Sequence, residues 1–463
     1  MTNAQNLRPS KSETPSLGSA NWLAKPETQI LFDLIEAGGG DLRAVGGCVR
    51  DSLYDLSGSL NFNIDFDIDM ACDLSPDRMI EIFSAAGLKT IPTGIAHGTI
   101  TVIVANDQGT KSIYEITTLR KDMVTDGRHA QVEMTDDWTE DARRRDFTIN
   151  ALYADRKGQV YDLLAGEGFS GVSDLAANRV RFIGDPAARI SEDYLRILRF
   201  FRFHFKLAPS LPLDAAGLAA CEVGAQEMTQ LSGERICAEL LQILSLPSAA
   251  MAMRAMHQAG VLKQVLATSS DFSCLERLVH IFERDPLANA ADPILRLAAC
   301  IFSPEASQKL DERIAFGNEI SQRLRLSRRS ADRLKQVAGA GSKGQMPILD
   351  PQVTMDQLRQ ALFLLGDKSA LLDQILLAWA ADTRAMPADP TCRVSPTWQK
   401  LIDGLKDIEL PVFPLTGAML LEIGFEPGPN MGRAIKTTQD WWRDANFEPD
   451  LPALQAYAAA LKG

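Results

Sequence analysis

The chain has 463 residues, 46% of them apolar and 23% charged, and carries a formal net charge of −12. This balance excludes a mainly disordered chain, a collagen-like repeat and a disulfide miniprotein, and the length suggests about three domains at roughly 150 residues each. The acidic surplus argues against a protein that coats nucleic acid through bulk charge.

No run of about 18 apolar residues exists to span a bilayer, and the polar first 27 residues contain no apolar signal core. The 7 cysteines, odd in number and without a CxxC pair, point to reduced thiols rather than to zinc or disulfides. A cytoplasmic location is the resulting expectation.

In chain order, residues 1–27 read as a disordered lead rich in Ser, Thr, Pro and Asn. From 28 to 165 short β-rich runs alternate with short helical patterns. Leu42–Val45 is a strand ending at Gly46-Gly47, followed by a helix through Val49–Leu56. Asp65–Ala71 alternates as a strand, and Ser75-Pro76-Asp77 starts a helix, with an N-cap hydroxyl and proline in the first turn. Thr99–Ala105 and Ser112–Thr117 are β-branched runs joined by Asn106–Gly109 as a hairpin. Residues 120–141 read as a long polar loop, and the triple arginine Arg143-Arg144-Arg145 enters an apolar strand. Beyond about residue 180 helical patterns dominate, broken at Pro209–Pro212, Gly339–Pro347, Pro387–Pro396 and Pro411–Pro414. The fold class is therefore α+β, a mixed head followed by a helical remainder.

Gly46-Gly47 between strand and helix lets the backbone approach an anion while the helix N–H groups face it, and Arg50 can add charge. In Asp67-Ile68-Asp69, strand residues i and i+2 share a face, so two carboxylates stand side by side. A divalent cation is the natural candidate to offset their repulsion, the other reading being a solvent-facing strand with incidental acids. Glu115 becomes a third carboxylate if its strand neighbours theirs, binding metal or orienting a hydroxyl.

In the segment Arg189–Phe203, taken as one helix, Asp193 and Arg196 are neighbours by the i, i+3 spacing. One reading is an ordinary ion pair. The other is base recognition: the carboxylate accepts from an exocyclic amine and the guanidinium donates to a ring nitrogen, which favours C and A over U and G. Two basic tracts stand out against the acidic whole. Residues 179–206 hold seven Lys/Arg against three Asp/Glu, and residues 323–335 hold six against one. Arg328 and Arg329 of the second are candidates for phosphate contact with RNA.

Gly46-Gly47-x-Val49-Arg50-Asp51, Asp67-x-Asp69, Arg144-Arg145-Asp146-Phe147-Thr148-Ile149-Asn150-Ala151 and Glu192-Asp193-x-x-Arg196 follow in the order seen in class II CCA-adding tRNA nucleotidyltransferases, a family that includes bacterial poly(A) polymerases. The resemblance runs from about residue 40 to 250 and extends to Gly233-Glu234-Arg235-Ile236 with Glu239-Leu240. The segment Tyr114–Asp126, with Asp126-Gly127-Arg128, resembles the family's flexible loop, and Pro427-Gly428-Pro429 with Trp441-Trp442 resembles tail segments.

The resemblance implies a polymerase β-like nucleotidyltransferase head over 28–165, a neck over 166–270 that reads the base, and a helical body and tail over 271–463 that bind tRNA. It implies Mg2+ as cofactor, with CTP, ATP and a tRNA lacking all or part of its CCA end as partners. No membrane or protein partner is implied. Asp67 and Asp69 match the metal ligands, with Glu115 beside them in the catalytic group. Gly46, Gly47, Arg50 and Arg145 match triphosphate contacts, Asp193 and Arg196 the base-reading pair, and Arg199 and Arg202 supporting positions in the nucleotide site. The linker after Asp51 is longer than usual and brings in Asp65, so the choice of Asp67 and Asp69 rests on the Met70-Ala71-Cys72 that follows. Poly(A) polymerase, a CC-only or A-only adding enzyme, and an inactive RNA-binding protein are the alternatives.

Overall fold

Period-two alternation of apolar side chains builds the first part of the molecule as a sheet. The computed structural model describes residues 15–18, 20–56, 68–95, 98–106, 109–122, 132–266, 271–284, 292–302, 310–338, 349, 351–382 and 395–462. The strands are β1 Leu42–Val45, β2 Ile68–Cys72, β3 Lys89–Gly94, β4 Thr99–Ala105, β5 Lys111–Thr118, β6 Arg120–Asp122, β7 Val132–Met134, β8 Leu152–Ala154 and β9 Val160–Asp162. Seven form one sheet in the order β3-β4-β5-β2-β1-β8-β9, and β6 pairs with β7 apart from it. Within the large sheet β2 and β5 are parallel and the other neighbours antiparallel.

Side-chain parity sorts the two faces. Leu42, Ala44, Ile68, Met70, Cys72, Tyr114 and Ile116 point into one core, shared with residues of the helices Pro26–Ala37, Gly47–Leu56 and Pro76–Ala85. Ser75 starts the last of these as its spacing predicts, its hydroxyl accepting from the Arg78 N–H at 3.3 Å. Val45 and Ala71, of the opposite parity, join Leu119, Ala142, Ala151 and Tyr153 in a second, smaller cluster. Asp69 and Glu115 belong to this second face and are exposed.

The structure corrects three expectations in this region. The end of the lead is ordered: Leu17, Trp22 and Leu23 are buried in the sheet's main core, Ser16 bridges to Gln159, and Trp22 Nε1 donates to Ser52 Oγ at 2.9 Å. These apolar residues fill a gap without any regular spacing, so periodicity did not reveal them. The stretch 120–141 is not one irregular loop. It holds β6, β7 and the start of the helix Trp138–Arg143, which Asp137 caps by accepting from Thr139 N. Arg143 and Arg144 end that helix, and a 3-10 turn at Thr148–Asn150 intervenes before β8, so the triple arginine does not run into a strand.

The chain divides into two compact units. One is Met1–Leu231 with Ala259–Val261, and the other is Ser232–Gln258 with Leu262–Gly463. Among its described residues the second unit is built of helices and the turns between them, with no strand. There the helix Gly233–Leu244 starts against backbone: a Cβ on Gly233 would fall 2.2 Å from the Arg323 carbonyl oxygen, so only glycine fits. Buried Arg296 donates from Nη1 to the carbonyls of Leu244 and Leu246, both at 2.7 Å, satisfying the open end of that helix. At the chain's far end Trp442 packs with Phe363, Phe413 and Phe447, while Trp441 stacks on Tyr457 at 4.2 Å. The α+β class, a mixed head with a helical remainder, is the observed one.

Candidate nucleotidyltransferase site

The site starts where β1 ends. Gly46 has φ +72°, a left-handed conformation that turns the chain directly into the helix Gly47–Leu56. A Cβ on Gly46 would lie 3.7 Å from Arg145 Nη1, and one on Gly47 3.9 Å from Arg50 Nη2. The turn thus presents a helix N-terminus with two guanidinium groups beside it, an arrangement suited to an anion.

The carboxylates lie next to it. In the parallel β2–β5 pairing Asp69 is the register partner of Glu115, on the exposed face. Sequence parity left this pairing open, and the sheet order closes it. Cys48, one residue into the helix after the turn, has its Sγ 3.7 Å from the Asp69 carbonyl oxygen, which puts the turn and the Asp strand in contact. Burial and then the Asp69 charge push the Cys48 thiol up to about 12, so it stays protonated. Asp67 and Asp65 lie outside the described residues, as does the Asp126–Arg128 loop motif. Among the described residues no cluster of three metal-ligating side chains occurs.

Arg50 is buried and engaged within the protein. Its Nε donates to Asp51 Oδ1 at 2.7 Å and its Nη1 to Asn150 Oδ1 at 2.5 Å. Asp51 Oδ2 accepts from Lys206 at 2.8 Å. Asn150 in turn donates to Asp146 Oδ1 at 3.0 Å, and Asp146 Oδ2 accepts from Arg199 at 2.7 Å. Burial raises the Asp146 pKa, but Arg199 and Asn150 outweigh it and hold the carboxyl below its ordinary range. Asp51 is likewise held low against its burial by Arg50 and Lys206. The ring of Phe203 lies under three cations, Arg202 at 4.3 Å, Arg50 at 4.7 Å and Arg199 at 5.2 Å. Arg50, far away in sequence, here meets Arg199 and Arg202.

The expected single helix Arg189–Phe203 is broken. The helix Pro186–Glu192 stops at Asp193, which is extended at φ −158°, ψ 104°, and a second helix runs Leu195–Leu207. Asp193 Oδ1 accepts from the Leu195 N–H at 3.1 Å, so it caps the second helix instead of sitting inside one. Arg196 takes Glu192 as its carboxylate, at 2.5 Å, and donates to the carbonyls of Arg189 at 2.8 Å and Arg144 at 3.3 Å. The helical spacing assumed for Asp193 and Arg196 does not hold, because Asp193 is extended and lies outside the helix that carries Arg196, its carboxylate accepting from one N–H of that helix's first turn.

The tract 323–335 divides. Arg323 donates to the carbonyls of Val265, at 2.8 Å, and Gln264, and Arg333 bonds both oxygens of Asp373, at 2.7 and 2.9 Å, and Asp292 at 2.5 Å. Arg328 and Arg329 are exposed on the first turn of the helix Arg328–Val337. They border a cleft of about 840 Å³ that also contains Asp292, Asp332, Asp367 and Asp373. Sequence reasoning missed Asp141 and Tyr153, which surround Arg145. The helical spacing of Asp141 ahead of Arg144 and Arg145 was the available signal.

Residues 42–181 match the family described as Poly A polymerase head domain, and residues 213–269 the one described as probable RNA and SrmB-binding site of polymerase A. CCA tRNA nucleotidyltransferase 1, mitochondrial, of Danio rerio is 30% identical over 426 residues, covering 90% of this chain and 87% of that protein. The CCA-adding enzyme of Streptococcus gordonii is 28% identical over 444 residues, covering 94% and 97%. The crystal structure of Bacillus stearothermophilus CCA-adding enzyme in complex with CTP shares the fold, with a TM-score of 0.67 at 22% identity over 94% of this chain and 98% of that one. With the Gly46–Gly47 turn beside the Asp69 strand and near-full-length relatives on either side, the chain belongs to the family of CCA-adding tRNA nucleotidyltransferases.

Proposed function

We propose that this protein adds C, C and A to the 3′ end of a tRNA lacking all or part of its CCA end, using CTP and ATP without a nucleic-acid template. The observation that carries the reading is the near-full-length identity to CCA tRNA nucleotidyltransferases, joined to the register that sets Asp69 against Glu115 beside the Gly46–Gly47 turn. In each cycle the tRNA 3′ oxygen forms a bond to the α-phosphorus while the bond to the β-phosphate oxygen breaks and pyrophosphate leaves.

The domain roles are those of a head at 28–165, a neck at 166–270 and a body and tail at 271–463. Gly46, Gly47 and Arg145 receive the triphosphate at the helix N-terminus. Arg50, buried between Asp51 and Asn150, supports the turn and adds charge from beneath it. Asp193 accepts from the exocyclic amine of C or A, and Arg196 donates to the adjacent ring nitrogen. Arg199 and Arg202, with Phe203, hold the segment that carries them.

An exposed pair of carboxylates on adjacent strands is a hard oxygen donor set that suits Mg2+. Asp69, with Asp67 two residues before it, is our choice of ligand, and Glu115 orients the attacking hydroxyl. When bound, the ion supplies charge stabilisation at the reacting phosphate. Arg328 and Arg329 are the exposed cations we assign to tRNA phosphates. We place the enzyme in the cytoplasm. The six described cysteines are free and buried, which suits a reducing compartment, and among the described residues no helix is long and apolar enough to cross a membrane.

The test is incubation with a tRNA lacking CCA, Mg2+, and CTP and ATP singly and together, followed by sequencing of the 3′ ends. CC from CTP alone and CCA from both is the expected result. Long A tracts would move the protein to the poly(A) branch, and unextended tRNA would overturn the assignment.

A further inference from the structure

We propose that Asp141 is a positioning residue for nucleotide addition, holding Arg145 against the Gly46–Gly47 turn and tying the start of β6 to the same point. The proposal rests on the reading of Arg145 as a triphosphate contact. Asp141 lies in the helix Trp138–Arg143 and is 1% exposed. Its Oδ2 accepts from Arg145 Nη2 at 3.0 Å, from Arg145 Nε at 3.3 Å and from the Tyr153 hydroxyl at 2.7 Å. Its Oδ1 accepts from Arg144 Nε at 2.8 Å and from the backbone N–H of Arg120, the first residue of β6, at 3.4 Å. Arg145 Nε also donates to the Tyr153 oxygen at 3.1 Å. With its other two nitrogens held this way, Arg145 places Nη1 at the Gly46 turn.

The backbone of the same dipeptide is held from the opposite side. The carbonyl oxygens of Arg144 and Arg145 both accept from Arg189 Nη2, and that of Arg144 also accepts from Arg196 at 3.3 Å. Arg144-Arg145 is therefore fixed through its side chains by Asp141 and through its carbonyls by the segment that includes Arg196. A buried ion pair of this kind adds little stability over well-packed apolar side chains of the same volume. What it supplies is direction, since the bonds from Nε and Nη2 that converge on Asp141 Oδ2, with Nε also held by the Tyr153 oxygen, fix the plane of the guanidinium. That direction governs how the remaining N–H edge meets a phosphate.

The test uses the full chain, a tRNA lacking CCA, and pyrophosphate as an inhibitor that probes the phosphate site without a base. Asp141→Asn should raise the KM for CTP, the KM for ATP and the pyrophosphate inhibition constant by a common factor of roughly 10–100, the scale of a small misplacement at a reacting centre. Preference for CTP over UTP should stay as in the parent. Tyr153→Phe keeps both ion pairs and should shift the same three constants in the same direction by a smaller factor. If Asp141→Asn does not fold, Tyr153→Phe decides alone, and unchanged constants there overturn the proposal. Unchanged constants in a folded Asp141→Asn with lowered thermal stability overturn it too, leaving Asp141 a packing residue. If the parent itself incorporates neither CMP nor AMP, the family reading fails instead.

Discussion

The two basic tracts have similar net charge and opposite construction. In 179–206 most cations are paired within the fold: Arg181 and half-exposed Arg179 bind Asp174, Arg199 binds Asp146, and Lys206 binds Asp51. In 323–335 the cations separate by helical position, Arg323 and Arg333 turning to backbone and carboxylates while Arg328 and Arg329 stand in solvent. Charge counting treats these tracts alike. Their partners differ: most cations of the first are paired with carboxylates of the fold, as suits the proposed small-ligand site, while in the second Arg325, Arg328 and Arg329 are exposed and can offer charge to a polyanion. Orientation needs desolvated, fully bonded arginines, whereas attraction to a polyanion needs only exposed charge.

The largest effect is expected at the carboxylates proposed to hold the metal. If Asp67 and Asp69 hold Mg2+ as proposed, Asp69→Ala, and likewise Asp67→Ala, should abolish nucleotide addition, because such an ion stabilises the reacting phosphate by several kcal/mol. Asp69 is exposed and repelled by its neighbours, so thermal melting should be unchanged or slightly higher. Near-normal incorporation would remove the metal-site assignment.

Asp193→Ala tests whether the first tract reads the base or merely folds. A hydrogen-bonding site can discriminate by about 10⁴-fold, so its loss should appear as UMP or GMP at the 3′ end when all four triphosphates compete. The lost cap to Leu195 should cost about 1 kcal/mol. A destabilised but faithful variant would assign Asp193 to capping alone.

In the second tract, Arg333→Ala should destabilise by about 2–3 kcal/mol in denaturant, because Asp373 is left buried without its partner. CTP affinity should not change. Arg328→Glu with Arg329→Glu should instead leave stability within about 0.5 kcal/mol, raise the tRNA Kd, and flatten the dependence of log affinity on log salt by about 0.9 for each phosphate contact removed. Unchanged tRNA binding would return these two residues to an ordinary solvated face.

The smallest effect is in acid. Burial raises the Asp141 pKa, but Arg145, Arg144 and Tyr153 more than offset this and bring it down to about 2 from 3.8. The folded value lies below the unfolded one, so the stabilisation is present above about pH 4 and is lost as pH falls through 2. It amounts to about 2 kcal/mol. The stability gap between the parent and Asp141→Asn should narrow by that amount between pH 5 and pH 2 in denaturant titrations.

The sequence by itself determined the strand and helix flanking Gly46-Gly47, the Thr99–Ala105 and Lys111–Thr118 hairpin, the Ser75 helix start and the change to helix after the head. Each is written in local spacing, turn chemistry or capping, within a few residues. It also carried the family, because the order of the motifs survives where packing varies. Tertiary structure alone decided that β2 and β5 lie parallel and so pair Asp69 with Glu115, since strand order depends on which faces must share a core. It decided that Asp193 ends one helix and caps the next, and that Arg50 and Arg145 are held by Asp51, Asn150, Asp141 and Tyr153. A buried charge takes whichever opposite charge or dipole the fold brings to it, and separation along the chain sets no limit on that choice.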